Sequence, residues 1–450
     1  MIIDYTQGPM QSGIGPIFIP IIKMKRALIS LLAVLLCTAS AMATGFVTIK
    51  NGQFELDGKP YRYVGTNMWS AVIMASEGRG GNRTALCREL DNLKRLGISN
   101  LRILVGADGP EGLPYHIKPT LQTAPGVYND TIMRGMDYLL VEMEKRGLKG
   151  VFYLTNAWEW SGGYSAYMEW GGYGKAAIPA IDGYDAYVAQ VKNFVLNDSV
   201  KEMYYRHIGH IVSRVNSITG KPYTQSPAIM SWQLCNEPRS FSKQGLPAFA
   251  NFLLTSAYII KSIDHNHLVS TGSEGLVGFE MSLDWWTRVH RSPAIDYANI
   301  HIWPCTWRWV TRDNAFSDVA IACSKSREYI EEHYNAISSY GKPLVLEEFG
   351  YHRDDFSFKP GSATKARDQY YKFILDIMCN TTMLAGCNFW AWSGDARPKH
   401  LWWQEWDDFC GDPAQEEQGL YSVFSNDRST IEIIKRAAKQ CEYPQSLVSR

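Results

Sequence analysis

The sequence has no excess charge of either sign. Its 450 residues include 45 Lys and Arg and 45 Asp and Glu, so the formal net charge is zero, and no long run of like charge occurs. A chain without charge bias lacks the electrostatic footprint that attracts nucleic acid or an anionic membrane. Internal repeats and low-complexity tracts are missing too, whereas 46% of the residues are hydrophobic. The composition favours a large globular core and a neutral substrate.

The chain also lacks the common cofactor motifs. Its nine cysteines include no C-x-x-C pair, so a zinc site is not expected. No G-x-G-x-x-G or P-loop pattern opens a helical stretch, which argues against nucleotide binding. We therefore predict neither a cofactor nor a metal. Disulfide pairing cannot be read from the scattered cysteines.

Residues 1–43 have the composition of a targeting segment. Met24-Lys25-Arg26 precedes the apolar stretch ALISLLAVLLCTASAMA, and Ala41-Met42-Ala43 places small residues where signal peptidase cleaves. The stretch is too short for a stable membrane span. We predict a signal peptide that starts at Met24, a secreted or periplasmic protein, and one mature domain over 44–450. A lipid anchor at Cys37 is not expected, because Leu36 before it is too bulky for such a site.

From Thr44 onward, short β-rich runs alternate with amphipathic helical stretches. The opening FVTIKNGQFELDGKPY has two turn signals and predicts a small hairpin. Eight further apolar runs predict strands at 61–67, 99–105, 149–156, 228–237, 267–274, 297–303, 343–350 and 385–392. Helical patterns lie between and after them. This alternation predicts a parallel sheet covered by helices, most simply a (β/α)₈ barrel with long strand-to-helix loops; a doubly wound sheet is the alternative.

Polar side chains stand at the ends of these predicted strands, where a barrel of this kind assembles its active site. Glu237 ends the fourth run, in WQLCNEPRS, and Glu348 ends the seventh, in PLVLEEFG. Two carboxyl groups that flank one bond are the equipment of glycoside hydrolysis, because one protonates the leaving oxygen while the other attacks the sugar carbon. The alternative is that both carboxylates form buried ion pairs with arginines such as Arg102. The joint occurrence of two strand-end glutamates favours catalysis.

At this point the chain resembles the retaining glycoside hydrolases of family 5 in clan A. The resemblance is carried by YRYVGTNMWS, NLRIL, WQLCNEPR, TGSEG, HIWP, LEEFG and FWAWSG, in order along the mature chain. It implies that Glu237 is the acid/base and that Glu348, rather than Glu347, is the nucleophile. Within the family the motifs are most similar to those of the endo-β-1,4-mannanases. An exo-acting β-mannosidase or an endo-β-1,4-glucanase is the nearest alternative, and a non-catalytic carbohydrate-binding protein is an alternative of another class.

Further strand-end residues are predicted to bind the substrate or to hold the glutamates in place. Arg102 is expected to contact Glu348 and to favour its ionised form. Many members of the family have Tyr where Trp303 stands, and an indole N–H can donate but not accept a hydrogen bond. The full set of predicted substrate-binding residues is Arg102, Asn236, His301, Trp303, Trp390, Trp69, Asn156 and Glu274. We expect a β-mannan polysaccharide as the partner, no nucleic acid, no membrane span and a monomer.

Two long segments, 156–184 and 393–421, are predicted to be loops that shape the cleft. They carry many of the 15 tryptophans, whose rings can pack on the C–H faces of sugars. The second segment is also rich in acidic residues. These are expected to form a solvated acidic face rather than a Ca²⁺ site, because EF-hand spacing is lacking. They are Asp407, Asp408, Asp412, Glu416 and Glu417.

Overall fold

The structure is a computed structural model, which describes residues 45–442. The predicted signal peptide, with Cys37, lies outside this range. The described chain opens with three short antiparallel strands, Val47–Lys50, Gln53–Leu56 and Lys59–Pro60. Asn51 and Gly52 have φ values of 52° and 71°, the left-handed conformation that a tight hairpin turn requires. The predicted hairpin is therefore confirmed, with one additional strand.

The eight predicted barrel strands are all present and parallel. They are β1 (Tyr63–Asn67), β2 (Asn100–Leu104), β3 (Lys149–Tyr153), β4 (Ile229–Gln233), β5 (Leu268–Ser270), β6 (Ala298–Ile302), β7 (Leu344–Phe349) and β8 (Gly386–Phe389). The sheet order is β5-β4-β3-β2-β1-β8-β7-β6. Backbone N–H groups of Asp296 and His301 donate to the carbonyls of Val269 and Glu274, at 2.8 Å and 3.3 Å. These bonds link the two edge strands, so the sheet is nearly closed and the barrel prediction is confirmed.

One helix follows each strand and covers the outside of the barrel. The helices are α1 (Arg83–Arg95), α2 (Asp130–Arg146), α3 (Asp198–Val212), α4 (Leu246–Ile263), α5 (Leu283–His290), α6 (Val319–Ile337), α7 (Lys365–Asn380) and α8 (Arg428–Glu442). The limits of α2 show how sequence fixes them. Asn129 accepts a hydrogen bond from the N–H of Thr131, and Gly147 ends the helix with φ 67°.

One helical stretch of the described chain, Lys243–Ile263, is long and apolar enough to cross a bilayer by length and composition. It contains α4, and 44% of its window is buried inside the fold. The side chains of Phe249, Phe252 and Leu253 are fully buried. A core helix passes the same test of length and composition, so this stretch is weak evidence for a membrane span.

Segment 156–184 is less loop-like than predicted. It contains the helices Gly163–Trp170 and Pro179–Asp182 and leads into another at Tyr184–Val191. Apolar residues of Gly163–Trp170, such as Tyr164 and Tyr167, are completely buried. The helical period was overlooked there because aromatic and glycine residues dominate the segment. The segment is a small helical layer at the carboxyl end of the barrel.

Segment 393–421 is a true excursion from the barrel. It lies between two short strands, Trp392–Gly394 and Val423–Phe424, that pair with each other. Two fully buried arginines hold its return path: Arg353 donates to the carbonyl of Gly419 at 3.1 Å, and Arg367 to that of Ser422 at 2.9 Å. We call residues 395–422 the β8 loop.

Candidate active site

Glu237 and Glu348 meet at the carboxyl end of the barrel. Glu348 belongs to β7 itself, whereas Glu237 lies four residues beyond β4. Its backbone N–H donates to the carbonyl of Gly272 at 2.9 Å, and its φ of 48° is unusual for a residue with a side chain. Such a conformation persists only when its surroundings enforce it, and it is typical of functional sites. One oxygen of each carboxyl group and one ring nitrogen of His301 lie within 4.8 Å of one another.

Three donor side chains surround Glu348. A guanidinium N–H of Arg102 donates to its Oε1, and the indole N–H of Trp303 donates to its Oε2 at 3.1 Å. His301 Nδ1 lies 3.3 Å from the same Oε2. The predicted contact between Arg102 and Glu348 is therefore present. The indole of Trp303 supplies a donor to the nucleophile position without a hydroxyl group.

Arg102 is fully buried, and it is held by side chains from neighbouring strands. Its Nε donates to Gln233 at 2.7 Å, and its Nη2 donates to Oδ1 of Asn236 at 2.7 Å. Asn67 accepts a third bond at 3.1 Å. A guanidinium with its donors satisfied in this way cannot turn away from Glu348, so the positive charge is fixed beside that carboxylate.

Glu237 has different partners. The indole N–H of Trp158 donates to its Oε2 at 2.6 Å, and His301 Nδ1 lies 2.9 Å from its Oε1. Burial lowers the pKa of His301 well below its usual value, and Arg102 lowers it further, so the imidazole is neutral. His301 thus bridges the two carboxyl groups without adding a charge, as the predicted orienting role requires.

Burial raises the pKa of both carboxyl groups, to an especially large extent at Glu348, where Arg102 opposes the shift. At this separation the two groups do not ionise independently, and they share one proton over a range of pH. The direct guanidinium contact favours the negative charge on Glu348, while Glu237 receives hydrogen bonds from neutral rings. We therefore assign the shared proton to Glu237.

The two glutamates open into a cleft of about 660 Å³. Five tryptophans line it: Trp158, Trp160, Trp303, Trp307 and Trp390. Glu274 and Arg239 form part of its wall and bind each other through two hydrogen bonds of 2.5 Å and 2.6 Å. The cleft combines aromatic faces with charged and polar groups, as a sugar-binding site does. It includes the predicted Asn236, Glu274, Trp303 and Trp390.

Two predicted substrate-binding residues lie behind the cleft instead of in it. Trp69 is 3% exposed; its indole N–H donates to the carbonyl of Gly411 at 3.0 Å, and its ring packs edge-on against Trp160. Asn156 is completely buried, and its Oδ1 accepts a hydrogen bond from Asn236 at 3.1 Å. Both face the protein because the chain turns inward directly after the strand, so their roles are structural.

The acidic residues of the β8 loop do not form the single solvated face that was predicted. Asp412 is completely buried and accepts bonds from the backbone N–H groups of Gly419 and Tyr421, at 2.8 Å and 2.9 Å. Asp407 is also buried and lies beside His400. Glu416 lines the catalytic cleft. Backbone amides in the tight return of the loop need acceptors, and carboxylates supply them.

Several cleft residues were not assigned from the sequence. Trp158 and Arg239 were visible in the strand-end motifs, but their partners depend on how the following segments fold. Glu159, Tyr184, Gln415, Glu416 and Tyr421 also line the cleft. Neighbouring Glu347 is completely buried outside it, accepts bonds from Gln233 at 2.6 Å and Tyr297 at 3.0 Å, and has its pKa raised by burial to about 7.

Glu237, His301 and Glu348 are also the one group in residues 45–442 close enough to share a metal ion. Their facing atoms are already occupied by Arg102, Trp158 and Trp303. A fixed guanidinium beside the group opposes a cation there. The donor set fits a pair of catalytic carboxyl groups better than a metal site.

A second groove, of about 470 Å³, lies on another part of the surface. Residues 78–82 line one part of it, and Trp403, Trp406 and Phe409 line another. Trp406 is 76% exposed. The groove contains neither of the two close glutamates, so the predicted row of tryptophans divides between two places.

A (β/α)₈ barrel with two carboxyl groups this close, at the ends of β7 and of the segment after β4, defines a retaining glycoside hydrolase. The family model described as glycoside hydrolase family 5 β-mannosidase-like matches residues 44–446, so the chain belongs to glycoside hydrolase family 5. The structure of a family 5 mannosidase from Rhizomucor miehei is 30% identical, with a TM-score of 0.81, and the match covers 90% of this chain and 99% of that one.

Curated relatives give the same family. Mannan endo-1,4-beta-mannosidase 4 of Oryza sativa subsp. japonica is 28% identical over 78% of this chain and 74% of its own length. The endo-beta-1,4-mannanase of Thermotoga petrophila, at 22% identity and a TM-score of 0.64, covers 87% of this chain and 79% of its own chain and shows the shared fold. The resemblance found in the sequence motifs is thereby confirmed.

Proposed function

We propose that this protein is an endo-β-1,4-mannanase that cleaves internal bonds of mannan, galactomannan or glucomannan with retention of configuration. The observation that carries the proposal is the short distance between Glu237 and Glu348. Direct attack by a carboxylate needs the two groups roughly 5–5.5 Å apart, whereas an interposed water needs roughly 6.5–9.5 Å. Facing atoms within 4.8 Å fit direct attack. The mannan-hydrolysing names of the curated relatives support the choice of substrate.

The first step forms a glycosyl-enzyme. Glu348, held as an anion by Arg102 and Trp303, attacks the anomeric carbon while Glu237 donates its proton to the departing glycosidic oxygen. The leaving sugar then departs. In the second step Glu237, now ionised, removes a proton from water, and that water displaces Glu348 from the same carbon. The two inversions give net retention, and Glu237 is again protonated at the end.

We further propose that the protein acts outside the cytoplasm as a monomer without a membrane span. The signal-like composition of residues 24–43 supports export, and an extracellular site suits a polysaccharide substrate. Detection of a mature protein that begins near Thr44 in the culture medium or periplasm tests this. Recovery of the full chain from the membrane fraction would contradict it.

A digest of mannan, galactomannan, glucomannan and soluble cellulose, with products sized over time, tests the activity. Endo action predicts mixed short oligosaccharides from the start of the reaction. A retaining mechanism predicts that NMR shows the β-anomer as the first product. Faster hydrolysis of cellulose than of mannan would refute the substrate and leave the mechanism in place.

A second candidate, exo-acting β-mannosidase activity, is favoured by two observations. The mannosidase from R. miehei matches this fold with a higher TM-score than the T. petrophila mannanase, 0.81 against 0.64. In addition, the β8 loop places Gln415 and Glu416 on the wall of the catalytic cleft, and a loop at that place can close one end of a groove. Early accumulation of mannose alone identifies this activity.

A further inference from the structure

Four polar atoms on side chains that line the catalytic cleft are buried without a hydrogen-bond partner within residues 45–442. Two are donors, Nε1 of Trp307 and of Trp390, and two are acceptors, Oε1 of Gln415 and Oε2 of Glu416. Burying a polar atom without a partner costs free energy, so such atoms in a ligand cleft indicate contacts that a ligand completes. Sugar hydroxyl groups both donate and accept, and they match this mixture of atoms.

The turn that carries Gln415 and Glu416 is rigidly built. The amide of Gln418 donates to the carbonyls of Asp412, Pro413 and Glu416, at 2.9 Å, 2.8 Å and 3.1 Å. Asp412 holds the other side of the turn through the backbone N–H groups of the return strand. The backbone is therefore satisfied from below, while the two side chains at the tip are left free to bind a ligand.

We propose that Gln415 and Glu416 form a hydroxyl-binding subsite for the sugar on the leaving-group side of the scissile bond. Of the two catalytic carboxyl groups, it is Glu237 whose charge acts on Glu416. The acid/base group faces the leaving oxygen, so a side chain near it is placed to reach the ring that departs. Burial, Asp412 and Glu237 together raise the pKa of Glu416 well above its usual value, which lets its carboxyl donate as well as accept.

This inference rests on the proposed function and makes it more specific. If it is correct, recognition of the departing sugar comes from the β8 loop, while the barrel strands recognise the sugar under attack. A leaving group without hydroxyls then gains nothing from the subsite. Binding energy at this position lowers the barrel's requirement for a reactive leaving group, because it is realised as the bond breaks.

Two substrates separate the subsite from the catalytic pair. Mannotetraose places a sugar on the leaving-group side, whereas 2,4-dinitrophenyl β-mannoside places there an aromatic group without hydroxyls. We expect Gln415→Ala and Glu416→Ala to lower kcat/KM for mannotetraose by roughly 10- to 100-fold, the usual effect of losing a hydrogen bond to a substrate hydroxyl. For the aryl mannoside kcat/KM should stay within roughly twofold of wild type.

The matched control is Glu417→Ala, which removes the same charge from the next residue. Glu417 is not part of the cleft wall, and both rates should stay at the wild-type value. Glu416→Gln keeps the shape and an acceptor oxygen, and it should recover part of the lost rate. Because Glu416 has a buried oxygen without a partner, Glu416→Ala should melt at the same temperature as wild type or higher.

Equal losses on both substrates, or no loss on mannotetraose, would overturn the subsite. A lower melting temperature of Glu416→Ala would instead assign the side chain to the framework of the loop and would also overturn it. If the wild type hydrolyses the corresponding aryl glucoside and not the aryl mannoside, the proposed substrate has failed. The same variants are then compared on cellotetraose and the aryl glucoside.

Discussion

The strand ends of the barrel and the β8 loop both supply side chains to the cleft, but they hold them in opposite ways. Glu237, Glu348 and Arg102 are bonded to one another and to further side chains. Gln415 and Glu416 have buried acceptor atoms that no described residue contacts. The catalytic groups are preorganised by mutual hydrogen bonds, and the loop groups are preorganised by their backbone. The difference separates groups that perform the reaction from groups that recognise the substrate.

The largest effect is expected from Glu348→Ala. It removes the attacking group, so we expect kcat/KM to fall by roughly 10⁴-fold or more, with the circular dichroism spectrum unchanged. Azide should restore part of the activity by occupying the vacated position and forming a glycosyl azide of inverted configuration. If the Glu237 variant yields that inverted product instead, the two roles are reversed.

Glu237→Ala should have a smaller effect that depends on the leaving group. Loss of general acid assistance costs roughly 10²–10⁴-fold on a sugar leaving group. Dinitrophenolate departs without protonation, so formation of the glycosyl-enzyme from the aryl mannoside should stay fast and hydrolysis of the intermediate should become slow. A burst of dinitrophenolate in a stopped-flow trace measures this. An equal loss with both leaving groups would contradict the assignment of Glu237 as the acid.

Trp303→Phe tests a donor of the strand-end network while keeping an aromatic ring. A hydrogen bond to a charged group contributes about 1.5–3 kcal/mol, so kcat should fall by roughly 10- to 100-fold. Both mannotetraose and the aryl mannoside should be affected, because the bond acts on the nucleophile. Selective loss on mannotetraose would place Trp303 among the recognition groups and would blur the comparison.

Asp412→Ala disturbs the β8 loop from beneath without changing its tip. Backbone N–H groups lose their acceptor, and each buried unpartnered group costs about 1–3 kcal/mol. We expect a lower melting temperature and a loss of roughly tenfold on mannotetraose, with the aryl mannoside spared. Unchanged stability would show that the anchoring of the loop does not depend on Asp412.

The smallest effect is expected from Trp158→Phe, as a shift in pH dependence. The indole N–H stabilises the ionised form of Glu237 and so lowers its pKa, against the larger raising effect of burial. Without that donor the pKa of Glu237 rises further, and Glu237 stays protonated to higher pH. The alkaline limb of kcat/KM for mannotetraose should therefore move to higher pH. Trp160→Phe, which removes an indole that does not bond Glu237, should leave the limb in place.

The barrel and its central residues could be predicted because their signals are local. Apolar runs of strand length recur between helical patterns, and the ends of parallel strands share one face, which brought Arg102, Glu237, His301 and Glu348 together before any coordinates. Trp69 and Asn156 were misplaced because one turn after a strand decides whether a side chain faces the cleft or the core. The burial of Asp412 depends on a return strand several residues further along the chain. No local pattern contains that information.

The antiparallel strands at residues 47–60 have a kinetic consequence. Val47 and Phe54 form one apolar cluster with Tyr63, Val151, Met230, Leu268, Tyr297, Val345 and Ala385, which come from seven of the barrel strands or the residues next to them. Contacts between residues nearly 300 positions apart close only after the intervening chain is in place, and high contact order slows folding. The first residues to fold in sequence order are thus among the last to be fixed. Removing residues 47–60 should slow refolding and expose the floor of the barrel.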